Sequence, residues 1–274
     1  MQNQKVIFMG TPQISKLYLL SLIKNKFNII AVYTQPPRKK GRGMKINNSA
    51  INILAKENGI PVFCPDNFND IKVVENFKKL KPDLVVVMAY GFLLPKKILN
   101  IPKYGFINIH VSLLPRWRGA SPIEHAILNG DKTTGVSIFQ IQEKLDTGPI
   151  IASKEIEINA HESKLELTEK LNLEGVTLLL KTLPNIFKNN ILMQKQDDLK
   201  ATYSHKINSS FRKIDFNRNV RDVYNHIRAF SPEPAAWFLY NNERIKIINS
   251  SMESCESQPS YVLNEYFHIS CRNG

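Results

Sequence analysis

DLVVVMAY, residues 83–90, is apolar after its first residue and of strand length, the pattern of a strand covered on both faces. Reading outward, the same kind of segment recurs. Before it, VIFMG (6–10), FNIIAVYT (27–34) and PVF (61–63) read as strands. Helical stretches separate them, one around 48–58 and one from Asp66 to Leu80, where Ile71, Val74, Phe77 and Leu80 are spaced at three. Thr11 and Pro12 suit the start of a helix directly after the first strand. After it, GFINIH (105–110) and TGVSIFQI (134–141) continue the series, and 149–158 reads as an extra strand reached by a hairpin. Regular strand–helix alternation predicts an α/β fold around a doubly wound, mostly parallel sheet.

Beyond residue 160 the pattern changes. A helix is expected from Glu162 to about Leu183, where Pro184 should end or kink it. Residues 189–210 are polar and weakly periodic, as in a linker. Val220, Val223, Tyr224 and Ile227 mark an amphipathic helix, and Trp237–Tyr240, Arg244–Ile248, Tyr261–Leu263 and Phe267–Ser270 follow as short strand candidates. The expected organisation is a Rossmann-like domain over 1–189, a linker over 190–208, and a small β-rich domain over 209–274.

The chain has 274 residues, 43% apolar and 22% charged, enough for one large core and a smaller one. No apolar run reaches the roughly 18 residues of a membrane span, and no charged-then-apolar leader precedes the first strand. Cys64, Cys255 and Cys271 are too few and too scattered for a disulfide framework or a metal spacing, which fits a reducing cytoplasm. The net charge is +13, and residues 1–50 hold nine Lys/Arg and no Asp or Glu. Concentrated positive charge suits a polyanionic partner, nucleic acid before membrane, although a solvated basic surface has the same composition.

Familiar catalytic signatures are missing. The first strand–helix turn, MGTPQIS, lacks G-x-G-x-x-G, and there is no phosphate-loop lysine, H-E-x-x-H or G-x-S-x-G. Asp146-Thr147-Gly148 has the aspartic-protease triplet, but the α/β pattern around it opposes that reading. FINIHVSLLPRWRGASPIE (106–124) is more informative. Alternation along a strand sends Phe106, Asn108 and His110 to one face, so an amide and an imidazole sit together at the carboxyl end of a strand. Ligands bind at that edge of open α/β sheets. Taken singly, each residue is more often a turn former or a satisfied polar group.

The combination N-x-H-x-S-L-L-P-x-W-R-G followed by L-D-T-G resembles the signature of 10-formyltetrahydrofolate-dependent formyltransferases. FMGTP (8–12), VVVMAYGFLLP (85–95), TQPPRKKGRG (34–43) and TGVSIFQIQEKLDTGPI (134–150) are similar to members of that family that act on methionyl-tRNA, and RAFSPEPAAW (228–237) extends the likeness more loosely. Val111 and Lys144 depart from the usual pattern without removing a catalytic group. The resemblance implies a formyltransferase fold and formyl transfer from 10-formyltetrahydrofolate to the α-amine of methionyl-initiator tRNA, by a monomer without metal or membrane partner. Its catalytic trio falls on Asn108, His110 and Asp146. Asn108 and a protonated His110 can donate to the oxygen that becomes negative when an amine attacks the formyl carbon. Asp146 would orient the imidazolium or hold the water that relays a proton. Ser112, Leu113, Leu114 and Pro115 would contact the folate, and Arg116-Trp117-Arg118 would line the entrance unless Trp117 only packs its own loop.

QPPRKKGRGMK (35–45) places Arg38, Lys39, Lys40, Arg42 and Lys45 among two prolines and two glycines. Composition alone suggests a solvated cationic loop; the resemblance implies that it reaches the tRNA backbone. The same resemblance makes the small domain a shortened β-barrel that binds tRNA, since the chain stops at Gly274, some tens of residues before the family's usual end. Two rivals remain at this level: formyl transfer to an amino-sugar nucleotide, and a non-catalytic RNA-binding relic.

Overall fold

A computed structural model describes residues 3–40 and 45–274. The chain forms two compact units, one built from Met1–Pro115, Val136–Lys154 and Asn172–Lys200, the other from Arg116–Gly135, Glu155–Leu171 and Ala201–Gly274.

The central sheet has seven strands in the order Ile150–Glu157, Thr133–Gln140, Phe106–His110, Leu84–Met88, Val6–Gly10, Ile29–Tyr33, Val62–Phe63. Pairings from Val62–Phe63 through Phe106–His110 are parallel, whereas Thr133–Gln140 joins Phe106–His110 antiparallel. The mostly parallel α/β sheet expected from the sequence is therefore present. The chain winds outward from Val6–Gly10 to one edge and then returns to build on its other side, the strand order whose carboxyl ends hold ligands in open α/β sheets.

Every residue of Val6–Gly10 and Leu84–Met88 is buried, which explains why neither run carries a polar alternation. Phe77, from the helix Ile71–Lys79, lies between Phe106 (centroids 5.9 Å apart, stacked) and Tyr33 (5.6 Å, edge-on). A ring buried this completely contributes about 2–3 kcal/mol. Gly10 is required where the helix Gln13–Lys24 begins: a Cβ there would lie 2.8 Å from Ser15 Cβ and 3.0 Å from the Met88 carbonyl.

Local expectations changed in several places. Thr11 does not cap its helix; its hydroxyl donates to the Tyr90 carbonyl at 3.1 Å, and Pro12 occupies the cap position. The helix expected from Asp66 starts at Ile71, because Asn67 accepts from Asn69 N–H and Asp70 caps Lys72 N–H, and these local bonds hold 66–70 out of the helix. The helix Lys164–Phe187 continues past Pro184. Leu183, Ile186 and Phe187 are all buried, so the apolar face persists beyond the proline, and the Tyr104 hydroxyl satisfies the Phe187 carbonyl near the helix end at 3.1 Å.

In the second unit the helices Pro122–Leu128 and Val220–Arg228 pack together. Ile214, Val223, Ile227, Phe230, Ala236 and Phe238 form its apolar core. The buried Arg228 donates to the Glu162 carbonyl at 2.9 Å and to Asn225 Oδ1 at 3.0 Å, and His161 pairs with the Tyr224 hydroxyl at 2.9 Å. Antiparallel strands are present as Ala236–Tyr240 with Glu243–Ile247. The other two strand candidates shrink to one bridge between Val262 and Ile269, because Ser270 and Asn264 side chains take backbone partners that a ladder would use. Residues 189–210 are more structured than their composition suggests: Gln194 bridges to Ile150, and Tyr203–Ser204 pairs with Arg118–Gly119.

Candidate active site

Asn108 and His110 lie two residues apart on the strand Phe106–His110, on one face and roughly 6.5 Å apart along it. In register, Asn108 is flanked by Val87 and Phe139, and His110 is opposite Ser137. The Asn108 side chain is half-buried and its Oδ1 has no hydrogen-bond partner among the described residues. A half-turn of the amide would place its N–H2 there instead. Such a bare polar atom near the end of a strand is open to a hydrogen bond from water or a ligand.

His110 Nδ1 lies 3.8 Å from Asp146 Oδ2, with side-chain exposures of 7% and 10%. The Phe139 ring meets the imidazole edge-on at 6.4 Å. Asp146 arrives from the turn that leaves Thr133–Gln140, and its backbone is left-handed (φ 52°). Two residues on, Gly148 admits no side chain at all: a Cβ would fall 1.7 Å from the Gln140 carbonyl oxygen. The tertiary fold thus brings together an amide, an imidazole and a carboxylate separated by up to 38 residues (146 − 108) in the sequence.

Ser112–Pro115 continues directly from the strand that carries the pair. Its conformation is set by Ser137, whose hydroxyl donates to the Ser112 carbonyl at 2.7 Å and accepts from Leu114 N–H at 3.0 Å. Trp117 does not line an entrance; it is buried, its indole N–H donates to Asp131 at 2.7 Å, and the Arg116 guanidinium, itself paired with Asp131, lies 4.4 Å over its ring. Arg118 is also buried, with its N–H on the Thr202 carbonyl. Arg116 and Trp117 thus both engage Asp131, and the Trp117 and Arg118 backbones are tied to Thr202, while the Arg116 side chain remains 44% exposed. In the basic segment, the backbones of Arg38–Lys40 and Lys45–Asn47 form an antiparallel pair in place of a plain loop; Arg42 lies outside the described residues.

The sequence pattern of the Formyl transferase family matches residues 4–183, and that of the Formyl transferase C-terminal domain matches 206–274. The chain belongs to the formyl transferase family. It is 41% identical over 272 residues to the methionyl-tRNA formyltransferase of Pelagibacter ubique, covering 99% of this chain and 88% of that relative. It is 42% identical to the methionyl-tRNA formyltransferase of a Sulfurihydrogenibium species, covering 92% and 81% of the two chains. Among solved structures, the fold is similar to the N-formyltransferase of Helicobacter canadensis in complex with folinic acid and dTDP-3-aminofucose (TM-score 0.75, 24% identity, 99% and 97% coverage).

In this formyl transferase, two residues at the site escaped the sequence reading. Ser137 had a usable signal, since a lone serine inside the apolar run TGVSIFQI must find a partner once buried. Gln196 had none: it sits in a polar tract, yet it is buried and its Nε2 donates to the Asp146 carbonyl at 2.9 Å and the Gly148 carbonyl at 2.7 Å. Removing the Ser137 hydroxyl should loosen Ser112–Pro115. For Ser137→Ala the expected result is a several-fold weaker folate titration, with a stability loss of about 1–3 kcal/mol from the orphaned Leu114 N–H and Ser112 carbonyl. Unchanged folate affinity in calorimetry would show that this loop does not shape the donor site.

Proposed function

We propose that the chain transfers the formyl group of 10-formyltetrahydrofolate to the α-amino group of methionyl-initiator tRNA, giving N-formylmethionyl-tRNA for translation initiation. The observation that carries this reading is the meeting of Asn108, His110 and Asp146 at the carboxyl end of a central strand. The methionyl-tRNA acceptor comes from the names of relatives about 40% identical over almost the whole chain. The catalytic unit in this reading spans 1–189, with a linker at 190–208 and a smaller tRNA-handling part at 209–274.

The neutral amine attacks the formyl carbon, and the carbonyl oxygen takes up negative charge. Asn108 and His110 donate to that oxygen, and each such donor is worth about 3 kcal/mol in the transition state. As the bond from carbon to the folate nitrogen breaks, that nitrogen receives a proton and the attacking amine loses one. Asp146 keeps the imidazole in place and holds the relaying water. Ser112–Pro115 forms one wall of the folate site.

The test is direct. The protein is incubated with 10-formyltetrahydrofolate and either methionyl-tRNA or an amino-sugar nucleotide, and the products are analysed. Formylated methionyl-tRNA supports the reading; formylation of the sugar nucleotide alone, the class of molecule bound in the Helicobacter structure, would overturn it.

The basic hairpin is assigned to the tRNA backbone. Replacing Lys39, Lys40 and Arg42 together by alanine should raise the KM for tRNA and reduce the slope of log affinity against log salt by about 2–3, since each lost phosphate contact removes about 0.9. Folate affinity should stay as it was. An unaltered salt slope would show that these residues do not meet the nucleic acid.

A further inference from the structure

We propose that Gln196 is a positioning residue for formyl transfer, holding the turn that carries Asp146 so that the carboxylate faces His110. The proposal rests on the assignment of Asp146 given above.

The turn needs such a holder. Residues 142–145 are exposed, Leu145 at 55%, so its tip has no core of its own. Asp146 adopts a left-handed backbone, a conformation costing a non-glycine residue on the order of 1–3 kcal/mol unless its surroundings impose it. Two restraints do so. Gly148 lies against the Gln140 carbonyl with no room for a side chain. From the opposite direction, the single Nε2 of Gln196 donates to the carbonyls of both Asp146 and Gly148, which uses both hydrogens of the amide.

The clamp is itself fixed. Gln194 and Ile150 exchange two backbone hydrogen bonds, each 2.8 Å, so the main chain two residues from Gln196 is tied to the strand that leaves the turn. Gln196 is buried, only 6% exposed. The Asp146 carboxylate depends on this anchor for its 3.8 Å approach to His110. A catalytic group displaced by about 1 Å loses up to about 10²-fold in rate. The loop Ser112–Pro115 has its own holder in Ser137, so folate binding should be separable from the Asp146 turn.

The experiment compares Gln196→Leu, Gln196→Glu and Asp146→Asn in the full chain. For Gln196→Leu, kcat should fall at least about tenfold, with KM for 10-formyltetrahydrofolate changed less than about threefold. Hydrogen exchange should speed up at amides 144–148 and stay as in the parent protein elsewhere. In Gln196→Glu the ionised carboxylate faces two carbonyl oxygens and cannot donate, whereas its protonated form donates one hydrogen bond. Its kcat relative to Gln196→Leu should therefore rise as the pH falls, a rescue that simple loosening of the fold would not produce. Unchanged exchange at 144–148, or a kcat within about threefold of the parent while Asp146→Asn has lost about a hundredfold, overturns the proposal. Full activity of Asp146→Asn would instead refute the assignment of Asp146, and the positioning role with it.

Discussion

His110→Ala and Asn108→Ala should each lower kcat for formyl transfer by about two orders of magnitude or more, while folate affinity changes little. The reason lies in when these groups act. The Asn108 oxygen has no hydrogen-bond partner among the described residues, and His110 lies 3.8 Å from Asp146, so both stand where the formyl oxygen is proposed to sit. In the proposed mechanism both donate to the oxygen that becomes charged as the amine attacks, so the loss should fall on the transition state. Because both would donate to the same oxygen, the double variant should lose less than the product of the single losses. Asp146→Asn keeps the size of the side chain and removes its charge, and should lose rate on the same scale. Single-turnover rates with methionyl-tRNA measure all four variants. If His110→Ala kept its rate within about threefold, the site would work by some other means.

Gly148→Ala should be nearly as damaging, although glycine contributes no functional group. A Cβ would sit 1.7 Å from the Gln140 carbonyl oxygen and 2.9 Å from its carbon, both backbone atoms that cannot swing aside. The turn must therefore move bodily, and Asp146 is two residues away. A shift near 1 Å predicts up to about a hundredfold loss of kcat, together with about 1–3 kcal/mol of stability from the forced contact. Gly59→Ala is the control. Its added methyl meets nothing within 4 Å, but its φ of +67° strains any other residue, at about 1–2 kcal/mol. It should cost stability and leave turnover intact. Equal turnover losses in both variants would mean that Gly148 acts only through stability.

Much of the fold was readable because burial writes itself into composition. VIFMG and DLVVVMAY carry no polar face, and the strands Val6–Gly10 and Leu84–Met88 are buried at every residue. The three-spaced Ile71, Val74 and Phe77 sit in the helix Ile71–Lys79, which presents Phe77 to the sheet. Strand alternation correctly set Asn108 beside His110, since a period of two leaves no choice of face. Boundaries were less legible. Asp66–Asp70 left the helix through side-chain bonds to nearby N–H groups, and Pro184 stayed inside one because the residues beyond it are buried.

By itself, then, the sequence determined the main strand–helix alternation of the sheet, the pairing of amide and imidazole on one strand face, and the motif that points to formyl transfer. The tertiary structure alone decided that Asp146 returns to within 3.8 Å of His110, that Ser137 shapes Ser112–Pro115, and that Gln196 reaches across 50 residues to the Asp146 carbonyl. Periodicity reports which face of an element is buried, a property of neighbours in sequence. Contacts between a turn and a distant polar segment depend on how the chain closes, and a glutamine in a polar run of Gln, Lys and Asp carries no trace of that closure in its immediate surroundings.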